Sequence, residues 1–327
     1  MLRASGLTIL LSIACSVGAS AAAGAATVID DPRARELTAL DGTVVWVTSG
    51  ANGSQILMQQ DASGRRRVRG APSARFYRAP DLGRDARGRL VLTYQRCRTG
   101  SRCVARRDDL AGRRTGFRDL AVRGCSLSTA PALWGPRAAY GLACERGGVT
   151  DARRSGVYLK SGAGAPRRMP KPRPAVEFGV SAVSSVDLRG RRVAAVLADV
   201  FSYTVSQDVD GSDIRSFLAG ASEGDSNEAV TGLALGRRGV AWSLTQSEHA
   251  DDPRVAVISR QRASCLAQEV LTSAAVPNAA FPAGDVAVDG SRLLLLVPGT
   301  GVVSHAFAAA RPCSGPGLDP ASAASAP

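Results

Sequence analysis

Apolar and polar positions along this chain fall into a phrase that occurs six times. The clearest copy is Leu40–Arg67, LDGTVVWVTSGANGSQILMQQDASGRRR. An Asp41-Gly42 turn leads into Val44-Val45-Trp46-Val47, a Gly/Asn/Ser turn spans Ser49–Ser54, Ile56-Leu57-Met58 follows, and Gly64 turns the chain again. Turn, strand, turn, strand, turn is the pattern of consecutive antiparallel hairpins. The turn glycines Gly42, Gly88, Gly135, Gly190, Gly236 and Gly290 align at spacings of 46, 47, 55, 46 and 54 residues. That period belongs to repeat architectures. After each glycine comes a nearly continuous apolar run: VVWVT, RLVLTY, AAYGLA, VAAVLA, VAWSL and LLLLV. Such runs predict strands covered on both faces.

Third strands are predicted at Gln55–Gln60, Arg102–Asp108, Gly156–Ser161, Asp213–Ala219, Arg254–Ser259 and Val302–Ala308, several of them alternating as half-exposed strands do. No long helical period appears, and the 35 Gly and 17 Pro argue against an α-solenoid. A β-sandwich gives no reason for six units of about 50 residues. The predicted fold is all-β: a six-bladed β-propeller of four-stranded antiparallel blades. No full outer strand remains after the sixth unit, so the segment Thr27–Ala39 is expected to supply it and close the ring. The Pro-rich Pro166–Pro174 (PRRMPKPRP) reads as an outer edge strand and crossing loop.

The unit around Leu40–Arg67 resembles the repeat of TolB-like six-bladed propellers, in which an Asp-Gly turn precedes an apolar strand and a second strand ends in a Gly turn. Asp41-Gly42 and Asp289-Gly290 match fully, whereas other units keep only Gly with basic neighbours, as in Arg189-Gly190-Arg191. The resemblance spans residues 27–312 and implies fold, not function, because propellers host unrelated activities.

Residues 1–26 are read as a signal peptide: Arg3, the apolar Leu7–Val17, then small residues with Ala23-Gly24-Ala25 as cleavage motif. The alternative is a lipoprotein lipidated at Cys15, although Ser12 stands where its motif wants Leu. Residues 27–312 form one propeller domain, and 313–327 are expected to be a disordered tail. Beyond Cys15, six cysteines remain, an even count that reads as disulfides in an exported chain. Cys97 and Cys103 flank the Thr99-Gly100-Ser101 turn, and Cys125 and Cys144 lie almost equally far from the Gly135-Pro136 turn. Cys97–Cys103, Cys125–Cys144 and, by remainder, Cys265–Cys313 are the expected bridges. Zinc is disfavoured by the absence of C-x-x-C spacing and by having only His249 and His305.

Charge is distributed unevenly. The chain carries +13, and residues 60–173 alone carry +19, against −1 before them and −5 after. Loops joining second to third strands share one face of a propeller. Arg96, Arg98, Arg102, Arg146, Arg153 and Arg154 are therefore candidate ligand contacts there. A positive surface of this kind attracts polyanions; Arg-rich coding bias is the competing explanation. Aromatic interleaving suited to base stacking is missing, which argues against nucleic acid.

Catalytic signatures are absent: neither G-x-S-x-G, P-loop nor H-E-x-x-H occurs. His249 sits in the polar loop QSEHADDP, and His305 in the last third strand. Asp208, Asp210 and Asp213 in DVDGSD are weak metal candidates, since the EF-hand order is not met; an acidic hairpin loop is preferred. Phe201 and Tyr203 precede them on what reads as one long loop. The sequence thus points to a secreted, monomeric binding or scaffold propeller without cofactor. Its expected partners are anionic wall polymers or other polysaccharide, or a protein, with membrane attachment only through Cys15. The alternative is an extracellular propeller lyase or glycan hydrolase using carboxylates at a central channel, for which paired carboxylates suffice.

Overall fold

The structure is a computed structural model that describes residues 26–99, 103–117, 120, 122–173, 176, 182–198, 201–221, 227–236, 239–247, 254–262, 265–276, 285–297 and 299–306. Strand β1 (Ala26–Asp30) precedes a first sheet of β2 (Ala34–Leu40), β3 (Thr43–Ser49), β4 (Gln55–Asp61) and β5 (Gly64–Arg67). The second unit is β6 (Phe76–Arg84), β7 (Leu90–Cys97), β8 (Cys103–Asp108) and β9 (Arg114–Gly116). In the third, the inner edge is split into β10 (Cys125–Leu127) and β11 (Ala132–Trp134), both pairing with β12 (Arg137–Arg146). That unit continues through β13 (Val149–Thr150), β14 (Gly156–Ser161) and the edge strand β15 (Arg167–Arg168). A single parallel bridge, Trp134 to Arg84, joins the second and third units into one ten-stranded sheet. The next sheets are β16 (Ala182–Arg189), β17 (Arg192–Ala198), β18 (Phe201–Asp208), β19 (Arg215–Ala221), then β20 (Asn227–Gly236), β21 (Gly239–Ser247), β22 (Arg254–Arg262), β23 (Cys265–Val276). The last contains β24 (Val286–Asp289), β25 (Arg292–Val297) and β26 (Gly301–Ala306), and β1 pairs antiparallel with β26 as its fourth strand. The fold is all-β, and the topology is that of a β-propeller.

The second strands show why their sequences are apolar throughout. Val45 and Val47 of β3 enter a core shared with Leu82, Leu92 and Tyr94 of the next unit, while Val44 and Trp46 enter one shared with Leu294, Leu296 and Val302. In β17, Val193, Ala195 and Leu197 face Ala132, Val157 and Leu159 of the preceding unit, and Ala194 and Val196 face Leu233 and Leu235 of the following one. Successive strand residues point to opposite faces. A strand packed between two sheets therefore buries both sets of side chains, and in these strands most of both sets are apolar.

Two sequence readings change. Phe201–Asp208 is strand β18 rather than loop; Ser202, Thr204 and Ser206 alternate with Tyr203 and Val205, and both sets are buried between sheets. The predicted third strand at Asp213–Ala219 is accordingly the fourth of its sheet. Gly236 is not a positive-φ turn residue, unlike Gly42, Gly88, Gly135, Gly190 and Gly290. It is small because a Cβ there would lie 2.7 Å from Val288 Cγ1 of the adjacent sheet.

Both hairpin disulfides form: Cys97–Cys103 across β7 and β8, and Cys125–Cys144 across β10 and β12. The Cys265–Cys313 pairing lies outside the described residues. Among those residues, no helix is long and apolar enough to cross a membrane.

Candidate functional site

Four inner strands carry a register shift: at Glu36 in β2, at Ala79-Pro80 in β6, at Ser184 in β16 and at Thr231 in β20. Bulges of this kind re-aim side chains. These residues line one central cavity of about 420 Å³, together with Ser128–Ala130 from the break between β10 and β11.

The cavity collects four carboxylates: Glu36, Asp81, Asp187 and Asp285. Each accepts a backbone N–H from a neighbouring unit. Glu36 takes that of Ala79, which sits at φ +48° in the β6 bulge, and Asp81 takes that of Leu133. Asp187 Oδ2 takes Leu235 N at 2.6 Å, and Asp285 Oδ2 takes Leu37 N at 2.6 Å. From the opposite side, Arg189 Nη2 donates to Ala39 O at 2.7 Å, linking β16 to β2. Burial, reinforced by Asp285, pushes Glu36 up to about 8, and burial pushes Asp285 up to about 7. Burial also raises Asp81 and Asp187, with Asp187 adding to the rise at Asp81 and Arg189 opposing both. The primary work of these carboxylates is to clip inner strands together around the cavity.

The sequence gives one overlooked signal for them: an acidic residue directly before a buried aliphatic one, as in Glu36-Leu37, Asp81-Leu82, Asp187-Leu188 and Asp285-Val286.

A second, open cleft of about 680 Å³ lies between the first two units. Among the described residues its lining comprises Asn52, Gly53, Ser54, Ser73, Ala74, Arg75, Arg96, Cys97 and Arg98, three of them arginines and none a carboxylate. The floor is fixed by the bridge between Gln55 and Ala74 (2.7 and 3.0 Å) and by Tyr77 N donating to Gln55 Oε1 at 2.6 Å. Arg75 lies 5.6 Å from the Phe76 ring centroid, and all three arginines are exposed.

Arg96 and Arg98 were legible candidates, and the structure brings them together in this cleft; Arg75 joins them from the strand-linking segment. Arg102 lies outside the described residues. Arg146 ends β12, and Arg153 and Arg154 sit between β13 and β14, the equivalent connection of the next unit. Arg154 is engaged there, donating to Arg123 O and to Cys125 Sγ at 3.6 Å.

Much of the remaining basic charge is spent locally. In the D-x-x-G-R turns Asp61–Arg65, Asp85–Arg89 and Asp109–Arg113, the aspartate accepts N–H groups of its own turn. Asp85 also binds Arg89 at 2.7 Å and Arg107 at 3.2 Å, and Asp109 binds Arg113 at 3.0 Å.

The DVDGSD carboxylates are similarly occupied. Asp208 faces Arg192 at 3.3 Å, Asp210 faces Arg191 at 3.2 Å, and Asp213 faces Arg192 and Arg215. Hydrogen bonds from Arg192 and then Arg215 hold Asp213 below the usual carboxylate range. No group of three or more metal-ligating side chains forms among the described residues. His305 lies in β26, and His249 is outside the described residues.

No family model and no curated protein sequence matches this chain. Several solved structures are similar in shape. A fungal lectin from Aleuria aurantia, described as six-bladed and fucose-recognising, is 11% identical, with 88% of this chain and 99% of that one covered and a TM-score of 0.48. PorZ, a surface component of the type-IX secretion system of Porphyromonas gingivalis, is 14% identical, with 88% and 39% covered and a TM-score of 0.45. The β-propeller domain of the Trilobed protease of Pyrococcus furiosus is 10% identical, with 73% and 85% covered and a TM-score of 0.42. At this level of similarity, the fold assignment rests on the chain's own sheet topology.

Proposed function

We propose that this chain is an exported, six-bladed propeller that binds anionic polysaccharide on the arginine-rich connections between second and third strands of its second and third units. Six apolar cores support the ring, since each lies between consecutive units and the last joins β24 and β25 to β2 and β3. The β1–β26 pairing supports closure by the N-terminal strand, and the Asp-Gly turns keep the TolB-like resemblance within this reading. Hairpin disulfides and the leader-like N terminus favour export.

The observation that carries the binding reading is the exposed, carboxylate-free arginine set of the cleft, Arg75, Arg96 and Arg98. Ten other arginines pair with an aspartate among the described residues; these three, like Arg69, Arg87, Arg146 and Arg153, do not, and they alone of that set share one cleft. The channel carboxylates fit the enzymatic alternative less well, because each already holds a backbone N–H of another unit. Charge reversal of Arg96, Arg98, Arg146 and Arg153 together should abolish retention on an immobilised anionic polysaccharide. Retention equal to wild type in that folded variant would refute the reading.

A further inference from the structure

We infer that the cleft between the first two units is a discrete subsite for one oxyanion-bearing sugar unit, with Arg75, Arg96 and Arg98 as its anion contacts. This deepens the anionic-polysaccharide reading and rests on it. Three arginines lining one concave surface bring like charges together, and among the described residues no lining carboxylate offsets them. An anion is the partner that turns this repulsion into binding, and guanidinium forks match carboxylate and phosphate geometry.

The rest of the lining suits a sugar rather than a bare ion. Asn52 and Ser73 place an amide and a hydroxyl beside the arginines, groups that exchange hydrogen bonds with ring hydroxyls; Ser73 Oγ accepts from Arg67 Nη2 at 3.1 Å and keeps its own proton to donate. Asn52 is held at φ +56° within its turn. The backbone that carries the arginines is also preorganised. Arg96 and Arg98 flank Cys97, whose bridge to Cys103 closes the β7–β8 connection. Arg75 directly follows Ala74, which exchanges both backbone hydrogen bonds with Gln55. Holding charged groups in place before binding lowers the entropy lost on binding.

The subsite predicts behaviour that a diffuse basic face does not. Isothermal titration of the intact, oxidised chain with D-glucuronate, glucose 6-phosphate, inorganic phosphate and D-glucose tests it. Glucuronate, glucose 6-phosphate or both should bind in the millimolar range or better, inorganic phosphate at least tenfold more weakly, and glucose not measurably. Which of the two sugar anions binds tighter identifies the oxyanion. Arg75→Gln and Arg96→Gln/Arg98→Gln should each lose tenfold or more. Arg87→Gln/Arg123→Gln, at exposed arginines of the same basic sector outside the cleft, should leave the small-sugar affinity unchanged, and Cys97→Ser/Cys103→Ser should weaken it severalfold.

Absence of binding by both sugar anions, or equal binding in folded Arg96→Gln/Arg98→Gln, overturns the subsite. Phosphate binding as tightly as the sugars overturns its sugar selectivity. Polymer retention that survives all three cleft substitutions would remove the subsite and leave the basic-face reading standing. No polymer retention by the wild-type chain would remove both.

Discussion

Asp285 and Glu36 show what a single buried carboxylate does in this molecule. Each is raised because burial penalises its charged form, so the folded state holds protons that the unfolded chain has released. Their stabilising contribution is complete below the unfolded value near 4 and is lost as pH climbs through about 7 for Asp285 and about 8 for Glu36. The turn aspartates behave oppositely. Asp109, held low first by the Arg113 N–H, and Asp213, held low first by Arg192, contribute above pH 4 and lose that contribution below it. Maximal stability is therefore expected near pH 4, where the two limbs meet, with thermal midpoints falling on going to pH 3 and toward pH 8.5. Asp285→Asn should flatten the alkaline limb by removing one of the four raised carboxylates, while Glu36, Asp81 and Asp187, with Arg78 and Arg189, still face the cavity. An unchanged alkaline slope would mean that these carboxylates are solvated. Little of this was legible in the sequence. Glu36 and Asp285 stand 249 positions apart, and only closure of the sheets makes them neighbours.

Elements were legible in proportion to how much apolar surface they bury. The second strands announce themselves because both faces are covered. The outer strands GRRR and RR are exposed; they are held by backbone ladders that leave no side-chain pattern. Strand β18 reads as loop because one of its two buried faces carries serine and threonine. Glycine substitutions separate two demands at this scale. Gly42 needs only its positive φ, with nothing within 4 Å of an added Cβ, so Gly42→Ala should cost about 1–2 kcal/mol. At Gly301, φ is +124° and a Cβ would lie 2.1 Å from Ile29 O on the paired strand β1. Gly301→Ala should cost clearly more, roughly 3 kcal/mol or above, and should expose the β1–β26 ladder to amide exchange. Equal costs in chemical denaturation would contradict that pairing. The hairpin disulfides rank by loop length. Cys125–Cys144 encloses 19 residues of separation against 6 for Cys97–Cys103, so its removal should cost about 3 kcal/mol against about 2.

At the scale of the whole molecule, the segregation of charge was plain in the sequence, and its division was not. Of the basic sector between residues 60 and 173, many arginines are consumed by D-x-x-G-R turns or by carbonyl contacts such as that of Arg167 with Val209 O at 2.6 Å. Of what remains, Arg75, Arg96 and Arg98 share the cleft, and Arg146 and Arg153 sit on the equivalent connection of the next unit. The most direct measurement is retention of the mature, oxidised chain on immobilised anionic and neutral polysaccharides across a salt series. Retention on the anionic polymer alone, falling steeply as salt rises, is the expected result. Equal retention on both polymers, or retention on neither at low salt, would contradict the account.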